Sequence, residues 1–596
     1  MITSLSSELF PSPREIFQKP GYFTVPEQWL IFGNDSVIRE IIPVSPFPFQ
    51  QSDKNSAQIV LLHTQLDEEA LIIECETSKI SVSFGSPKGA LYALKTLKQI
   101  IDLSAGKIPC FKLKDAPYLK RRGFMLDVSR CKVPTMETMY ELIDLLSDLR
   151  YNELQLYIEH TFAFKNHEIV WQDFSPLTGE EIEQIDQYCQ ERFIELVPNL
   201  NSFGHFERWL RHKPYKQLAE CPEGFRRDDP FMVRDHGSVL KPNQESLDFI
   251  DSLYDEYLPH FSSKKFNVGL DEPWELGQGW SKPKVEKHGK HEVYLEHLEG
   301  ILSLVEKHDK SMEFWADVIL ENPENAKNLP SHASPIIWGY EGDHPFSSQA
   351  KSVAECGLNF SLAPGTANWR SFSGRWETVR RNLKSACTNA DEYGAEGILL
   401  TTWGDCGNHQ PWSTMYPPLF LGSQLTWRGK DITDEKIGTF IDRREFHAPG
   451  LGLGQALIDL AKLDQIIEFK LPNNSLPWFA LFSAQPEKLP KHLAEQLSVH
   501  QLQDGLDWLN EINSGSFSSE NNSNAQLAEQ EWKLGIDLST AGINHAIRMM
   551  SKDINSSKIA NNQSSLIERF QDIWLQRARK GGLHEAVSLL ENALKK

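Results

Sequence analysis

The sequence predicts an α/β fold: a (β/α)₈ TIM barrel over about 116–430, a small α+β domain before it (1–115), and a helical C-terminal region after it (431–596). Three observations predict this. Eight apolar, strand-like segments alternate with amphipathic helical stretches through the middle of the chain, the count and span of a closed barrel. A cluster of strands and one helix comes first. After about residue 430 the alternation stops and only helical periodicity remains.

In the first unit, Gln58–Leu62, Ala70–Glu74 and Ile80–Phe84 read as strands. Lys88–Asp102 follows with Leu91, Leu94, Leu97 and Ile100 at helical spacing, a helix laid on a sheet. The barrel strands are expected at Arg122–Val128, Glu153–Glu159, Glu195–Asn201, Phe266–Glu272, Met312–Val318, Pro335–Glu341, Asn359–Pro364 and Gly397–Asp405. Helices are expected between them, among others at Met136–Leu149, Gly179–Arg192, His291–Lys307 and Arg375–Tyr393. An open doubly wound sheet is the competing fold. It would carry a Gly-rich phosphate turn after its first strand, whereas Asp127-Val128-Ser129-Arg130 stands there. The last region offers helices at Gly452–Phe469, Pro486–Ile512, Gln526–Met550 and Ser564–Lys580, with a Ser/Asn-rich connection at Asn513–Asn524.

Composition narrows the function classes. With 40% hydrophobic and 24% charged residues the chain reads as soluble and globular. A net charge of −21 with no long basic run disfavours nucleic acid and anionic membranes as partners. Met1–Pro20 shows no signal or transit pattern, and no apolar run is long enough to span a bilayer. The eight cysteines are scattered without a Cys-x-x-Cys pair, so reduced thiols, a cytoplasmic location and the absence of a zinc site are expected.

Chemistry concentrates where an apolar strand ends in Asp271-Glu272, followed by Pro273 and Trp274. Acids at the C-terminal end of a barrel strand stand where such folds keep their active sites. As a bare dipeptide the pair means little among 82 acidic residues, most of them solvated. In this position, a catalytic role weighs evenly against a structural ion pair. Two adjacent negative charges also raise one pKa, which keeps a general acid protonated near neutral pH. Trp315, Trp338 and Trp403 fall at or near the ends of the fifth, sixth and eighth strands, and Trp369 in the loop after the seventh. Four indoles converging on one barrel mouth suit the apolar face of a pyranose. Arg122, Glu159, His205, Asp317 and Asp405 add polar groups at the same expected mouth, although a lone histidine after a strand is more often structural. Arg130, Glu207 and Arg208 read as structural.

The runs Gly89-Ala90-Leu91-Tyr92-Ala93-Leu94, Arg122-Gly123-Phe124-Met125-Leu126-Asp127-Val128-Ser129-Arg130 and Gly269-Leu270-Asp271-Glu272 resemble family 20 glycoside hydrolases, the β-N-acetylhexosaminidases. Tyr157-Ile158-Glu159-His160-Thr161-Phe162, Val197–His205 and Gly397–Trp403 resemble the hexosaminidase D branch most. The resemblance implies an exo-acting, retaining, substrate-assisted mechanism, an exception to the two-carboxylate scheme. Glu272 would protonate the glycosidic oxygen, and the substrate's 2-acetamido carbonyl would attack the anomeric carbon. Asp271 would orient the acetamido group and stabilise the oxazolinium ion. Arg122 and Asp405 would bind sugar hydroxyls, the indoles of Trp315, Trp338 and Trp403 would wall the pocket, and His205 would tune the acid. No metal or organic cofactor is implied, and the partner is a small glycan or glycoside ending in N-acetylglucosamine or N-acetylgalactosamine. Exposed C-terminal helices suit a homodimer.

The chain departs from the family pattern at three places. Leu270 replaces a second glycine, Glu159-His160 replaces an Asp-Asp pair, and the acetamido-binding tyrosine lacks a direct counterpart, with Tyr340 and Asn368 as substitutes. A glycosidase without acetamido participation and an inactive sugar-binding barrel are the alternatives. The intact acid pair speaks against the second.

Overall fold

The computed structural model describes residues 5–595 except 6, 229–230, 323–325, 328, 331, 484–494, 519–521 and 552–562. The first unit is a seven-stranded sheet of β1 (Glu15–Thr24), β2 (Trp29–Phe32), β3 (Phe49–Gln51), β4 (Ile59–His63), β5 (Leu71–Cys75), β6 (Ile80–Phe84) and β7 (Lys107–Asp115), in the order β1-β7-β5-β6-β4-β2-β3. Helix Pro87–Asp102 buries Leu91, Leu94, Leu97 and Ile100 against it, as the spacing requires. Four of the strands were not legible. β1, for instance, is mostly exposed, and an edge strand of polar composition reads like a loop.

Eight parallel strands then close a barrel: β8 (Arg121–Asp127), β9 (Glu153–Ile158), β10 (Glu195–Leu200), β13 (Lys265–Asn267), β14 (Ser311–Trp315), β15 (Ala333–Trp338), β16 (Ser361–Ala363) and β17 (Gly397–Thr402). A two-stranded hairpin of β11 (Phe225–Asp228) and β12 (Phe231–Arg234) is inserted after β10. Barrel strands are covered on both faces, and every residue of β8, β9 and β17 is buried.

The barrel interior is layered. Its lower end is a charged plug, in which Arg121 bonds Glu153 at 2.5 Å and Glu313 at 2.8 Å, and Lys265 bonds Glu153 at 3.0 Å. Gln155, Asn199 and Asn267 hydrogen-bond to one another above it. Higher still, Met125, Tyr157, Ile336 and Leu399 meet Trp315, Trp369 and Trp403 in a separate aromatic cluster.

This alternation corrects the reading of Arg122. Side chains alternate along a strand. Met125 points into the barrel, whereas Phe124 and Leu126 point out to the helices. Arg122 shares the outward parity and lies at the opposite end of β8 from the mouth. It donates to Glu69 of the first domain at 2.7 Å and to the backbone oxygens of Leu119, Lys120 and Arg150. It fastens the first domain to the barrel and does not reach a sugar.

After the barrel, helices Leu453–Ala461, Leu463–Ile467, Leu476–Phe482, Val499–Ile512, Ser523–Ser551, Gln563–Arg577 and Leu583–Leu594 pack across its C-terminal side. The residues 486–494 of the expected 486–512 helix, and 519–521 of the expected connection, lie outside the described residues. Arg579 bonds Glu181 at 2.8 Å, Arg208 bonds Glu585 at 2.6 Å, and Arg579 N donates to Val133 O. These contacts hold the last helices on the loops that follow the first three barrel strands.

Arg122→Met is expected to strand the buried Glu69 carboxylate and cost about 3–5 kcal/mol, read by urea denaturation. Burial alone would raise the Glu69 pKa, but Arg122 and Lys88 hold it down at about 2. A depressed carboxyl contributes stability above its unfolded pKa and loses it as pH falls toward the folded value. The destabilisation should therefore be full near neutral pH and shrink between about pH 4.5 and 2. An unchanged denaturation midpoint combined with weakened sugar binding would return Arg122 to the mouth.

Candidate active site

The fourth barrel strand stops at Asn267, five residues before Glu272. Beyond it the chain turns through a left-handed run, with φ +72° at Gly269, +70° at Leu270 and +50° at Glu272. A Cβ on Gly269 would lie 2.0 Å from Asn201 Oδ1, so glycine is required there. Leu270 accepts a conformation unusual for its type and is fully buried, so core packing holds it there. The two acids are thus carried on a bent loop rather than on the extended strand that the sequence suggested. Asp317 pins the bend, accepting a hydrogen bond from Glu272 N at 3.0 Å.

Asp271 is buried, and its Oδ2 lies 3.1 Å from His205 Nε2. Its Oδ1 is buried without a hydrogen-bond partner, a carboxylate oxygen left for a ligand. Glu272 is more open, with 30% of its side chain exposed and Oε2 3.5 Å from the same imidazole nitrogen. Burial, then Asp271 and Asp405, push the Glu272 pKa up to about 7 against the pull of His205 and Arg130. Burial opposes charge on His205, but Asp271 beside it and Glu159 at 3.7 Å hold its pKa up at about 10. Burial and the nearby Asp271 and Glu272 charges raise Asp317 to about 8. The two acids therefore stand in different surroundings: Asp271 lies against the imidazole, and Glu272 is poised to exchange a proton near neutrality.

Both acids border a cavity of about 100 Å³ at the barrel mouth. Trp315, Trp338, Tyr340, Trp369 and Trp403 form its aromatic walls, and Arg130, His205 and Asp405 its other polar ones. Tyr340 stacks on Trp338 with ring centres 5.4 Å apart and meets Trp369 edge-on at 5.0 Å. Trp315 Nε1 is buried without a partner.

Of the residues singled out in the sequence, Asp271, Glu272, His205, Trp315, Trp338, Tyr340, Trp369, Trp403 and Asp405 come together here. Glu159 and Asp317 stand one layer back. Glu159 accepts from Tyr157 Oη at 2.9 Å and pairs with Arg130 at 2.9 Å. Asn368 is absent from the cavity wall. Its amide is used up by Thr366, Thr402 and Thr414, at 2.7, 2.9 and 3.1 Å.

Two residues on the cavity wall were missed. Arg130 was read as structural, yet it replaces Arg122 as the arginine of the mouth. Asp127 at 3.0 Å and Glu159 hold it between the rings of Tyr157 and Trp403. The signal was present: Asp127-Val128-Ser129-Arg130 is the turn at the C-terminal end of the first barrel strand. Asn473, from the helical region, also lines the cavity, and no local pattern announced it.

The ligand atoms of His205, Asp271 and Glu272 lie within 4.8 Å of one another, close enough for a metal. A metal-bound histidine must be neutral, so an ion there would have to displace the proton that Asp271 and Glu159 favour on His205. Asp251, Asp255 and His308 form a second such group at the surface, where Lys307 Nζ already stands 2.7 Å from Asp251.

A closed parallel barrel whose mouth joins an acid pair, an imidazolium and a wall of indoles is of the glycoside hydrolase type. Residues 120–395 match the family model "Glycosyl hydrolase family 20, catalytic domain", which supports a glycoside hydrolase of that type. It is 23% identical over 403 residues to a probable β-hexosaminidase of Arthroderma benhamiae, covering 62% of this chain and 63% of that protein. It is 24% identical over 298 residues to hexosaminidase D of Bos taurus, covering 45% of this chain and 80% of that protein. The match to the Arthroderma protein thus spans less than two thirds of that relative's length. The Flavobacterium johnsoniae chitobiase structure shares the fold over 99% of both chains, with a TM-score of 0.61 at 18% identity.

Glu272 should titrate near pH 7, followed by carboxyl ¹³C NMR. In His205→Gln its pKa should move higher, because the imidazolium lowers it. A wild-type value near 4.5, or a downward move in the variant, would contradict this electrostatic arrangement.

Proposed function

We propose that the protein is an exo-acting, retaining β-N-acetylhexosaminidase that removes terminal β-linked N-acetylglucosamine or N-acetylgalactosamine from small glycans, without a metal or organic cofactor. The match to the family model and the β-hexosaminidase names of the relatives support the reaction class. The single observation that carries the mechanism is the unpartnered Asp271 Oδ1 beside a protonated Glu272. One carboxylate oxygen is free to accept an acetamido N–H while its neighbour holds a proton for the leaving group.

In the proposed reaction Glu272 gives its proton to the glycosidic oxygen as the C1–O bond breaks. The 2-acetamido carbonyl oxygen attacks C1 from the other face, and the positive charge passes into an oxazolinium ring. Asp271, whose Oδ2 lies 3.1 Å from His205 Nε2, accepts the acetamido N–H on its other oxygen and stabilises that charge where it develops. Glu272, now a carboxylate, removes a proton from water, which opens the ring and returns the sugar with its configuration retained. Tyr340 takes the place of the acetamido-binding tyrosine on the wall beside Trp338. A cavity far smaller than a drug-sized pocket suits one terminal ring rather than a chain. No disulfide joins the cysteines among the described residues, which supports the proposal of a reducing, cytoplasmic setting.

Aryl glycosides that differ only at C2 test the reading. A 2-acetamido substrate should be cleaved and its 2-hydroxy analogue left almost untouched, and a thiazoline mimic of the oxazolinium ion should inhibit strongly. Equal rates on both glycosides, with no thiazoline inhibition, would point to a glycosidase without acetamido participation. The general acid must be protonated, so kcat/KM should fall above pH 7 by about tenfold per unit. On a glycoside with a poor leaving group, Glu272→Gln should lose ~10²–10⁴-fold in rate and the alkaline limb with it.

A further inference from the structure

Asn473 belongs to the C-terminal helical region, outside the residues 120–395 that match the family's catalytic domain. It sits in the short link between helices Leu463–Ile467 and Leu476–Phe482. Its backbone is left-handed at φ +54°, a conformation that asparagine tolerates better than most residues. Two contacts fix it on the barrel mouth. Its backbone N donates to Glu341 Oε1 at 2.6 Å, and Glu341 is itself held by Arg375 at 2.9 Å. Its side-chain Oδ1 accepts from Trp369 Nε1 at 2.7 Å.

Those contacts orient the amide. With Oδ1 engaged by the indole, the two Nδ2 hydrogens are the donors that remain, and the residue lines the cavity shared with Glu272 and Asp405. Its place around the barrel is also set. Trp369 follows the seventh strand and Asp405 the eighth, whereas the acid pair follows the fourth, on the other side of the ring. The acids mark the scissile end of the bound sugar, so Asn473 and Asp405 stand at the end away from it.

We propose that Asn473 is a substrate-binding, specificity-determining residue supplied by the C-terminal region: its Nδ2 donates a hydrogen bond to a hydroxyl oxygen at C4 or C6 of the terminal sugar. Asp405, an acceptor at the same edge, takes the complementary role. Oxygens at C4 and C6 are where hexosamines differ from one another in epimer and modification, so the helical region takes part in choosing the sugar. The inference rests on the proposed glycosidase function for its substrate.

Two variants test it. Asn473→Asp keeps the acceptor for Trp369 and replaces the donor with oxygen. Asn473→Gly keeps the left-handed turn and the backbone bond to Glu341. Both should fold with unchanged far-UV circular dichroism and lose about tenfold in kcat/KM on an aryl 2-acetamido glycoside, mostly through KM, the scale of one lost hydrogen bond. On either the 4-deoxy or the 6-deoxy analogue the loss should shrink to within about twofold, because the partner hydroxyl is already gone. Unchanged kcat/KM on the parent substrate, or the same loss on the parent and both deoxy analogues, would overturn the assignment. If the wild-type chain cleaves no 2-acetamido glycoside, the proposed function falls. Calorimetric titration of N-acetylglucosamine and its deoxy analogues into the same variants would then decide the role of Asn473 by the same pattern.

Discussion

The site depends on a backbone constraint, the left-handed conformations of Gly269, Leu270 and Glu272 that bend the chain as it leaves the fourth barrel strand. An extended exit would send successive side chains to opposite faces of the barrel wall. The bend instead presents both carboxylates to one cavity, with His205 bridging them. Several neighbours hold it in place. Asn201 leaves no room for a Cβ at residue 269, Asp317 accepts from the backbone of Glu272, and Tyr294 Oη donates to Leu270 O at 3.2 Å. A conformation that costs free energy in isolation persists because its surroundings over-determine it.

Around that bend the charges act in sequence. Asp127 and Glu159 hold Arg130, and Glu159 also faces His205. Asp271 in turn holds the proton on His205, while burial and the remaining acids push the Glu272 pKa up to about 7. Two adjacent carboxyl groups thus sit in different environments, one buried against the imidazole and the other more open with a raised pKa. The charged plug at the lower end of the barrel takes no part in this. It fills the interior with paired groups and leaves the upper layer to the aromatic residues.

The barrel was legible because its strands are buried on both faces, and continuous apolar runs of that kind stand out against amphipathic helices. The predicted strands ran too far at their C-terminal ends, as in Met312–Val318 against Ser311–Trp315, because the buried residues that follow, here Ala316 and Val318, pack in the core from a turn and the short helix Asp317–Glu321 instead of joining the ladder. Most of the cavity wall was legible for the same reason: acids and indoles at strand ends. The arginine was misplaced because strand parity, not proximity to the motif, decides which side chain faces inward. Arg122 points out toward Glu69, and Arg130 folds back over Tyr157. Asn368 drew notice because it stands in a barrel loop, and Asn473, in the helical region, drew none. Only the packed fold shows the first consumed by threonines and the second brought from the helices onto Trp369.

The central claim is that the two acids perform different duties, and leaving-group dependence tests it most directly. Hydrolysis of a series of aryl N-acetylglucosaminides should be compared for Glu272→Gln and Asp271→Asn. The account predicts that Glu272→Gln retains much of its rate on the most acidic phenols, which need no proton, and collapses on the least acidic. Asp271→Asn should be impaired across the whole series, since the participating amide is damaged whatever leaves. Matching slopes for the two variants would contradict the division of roles.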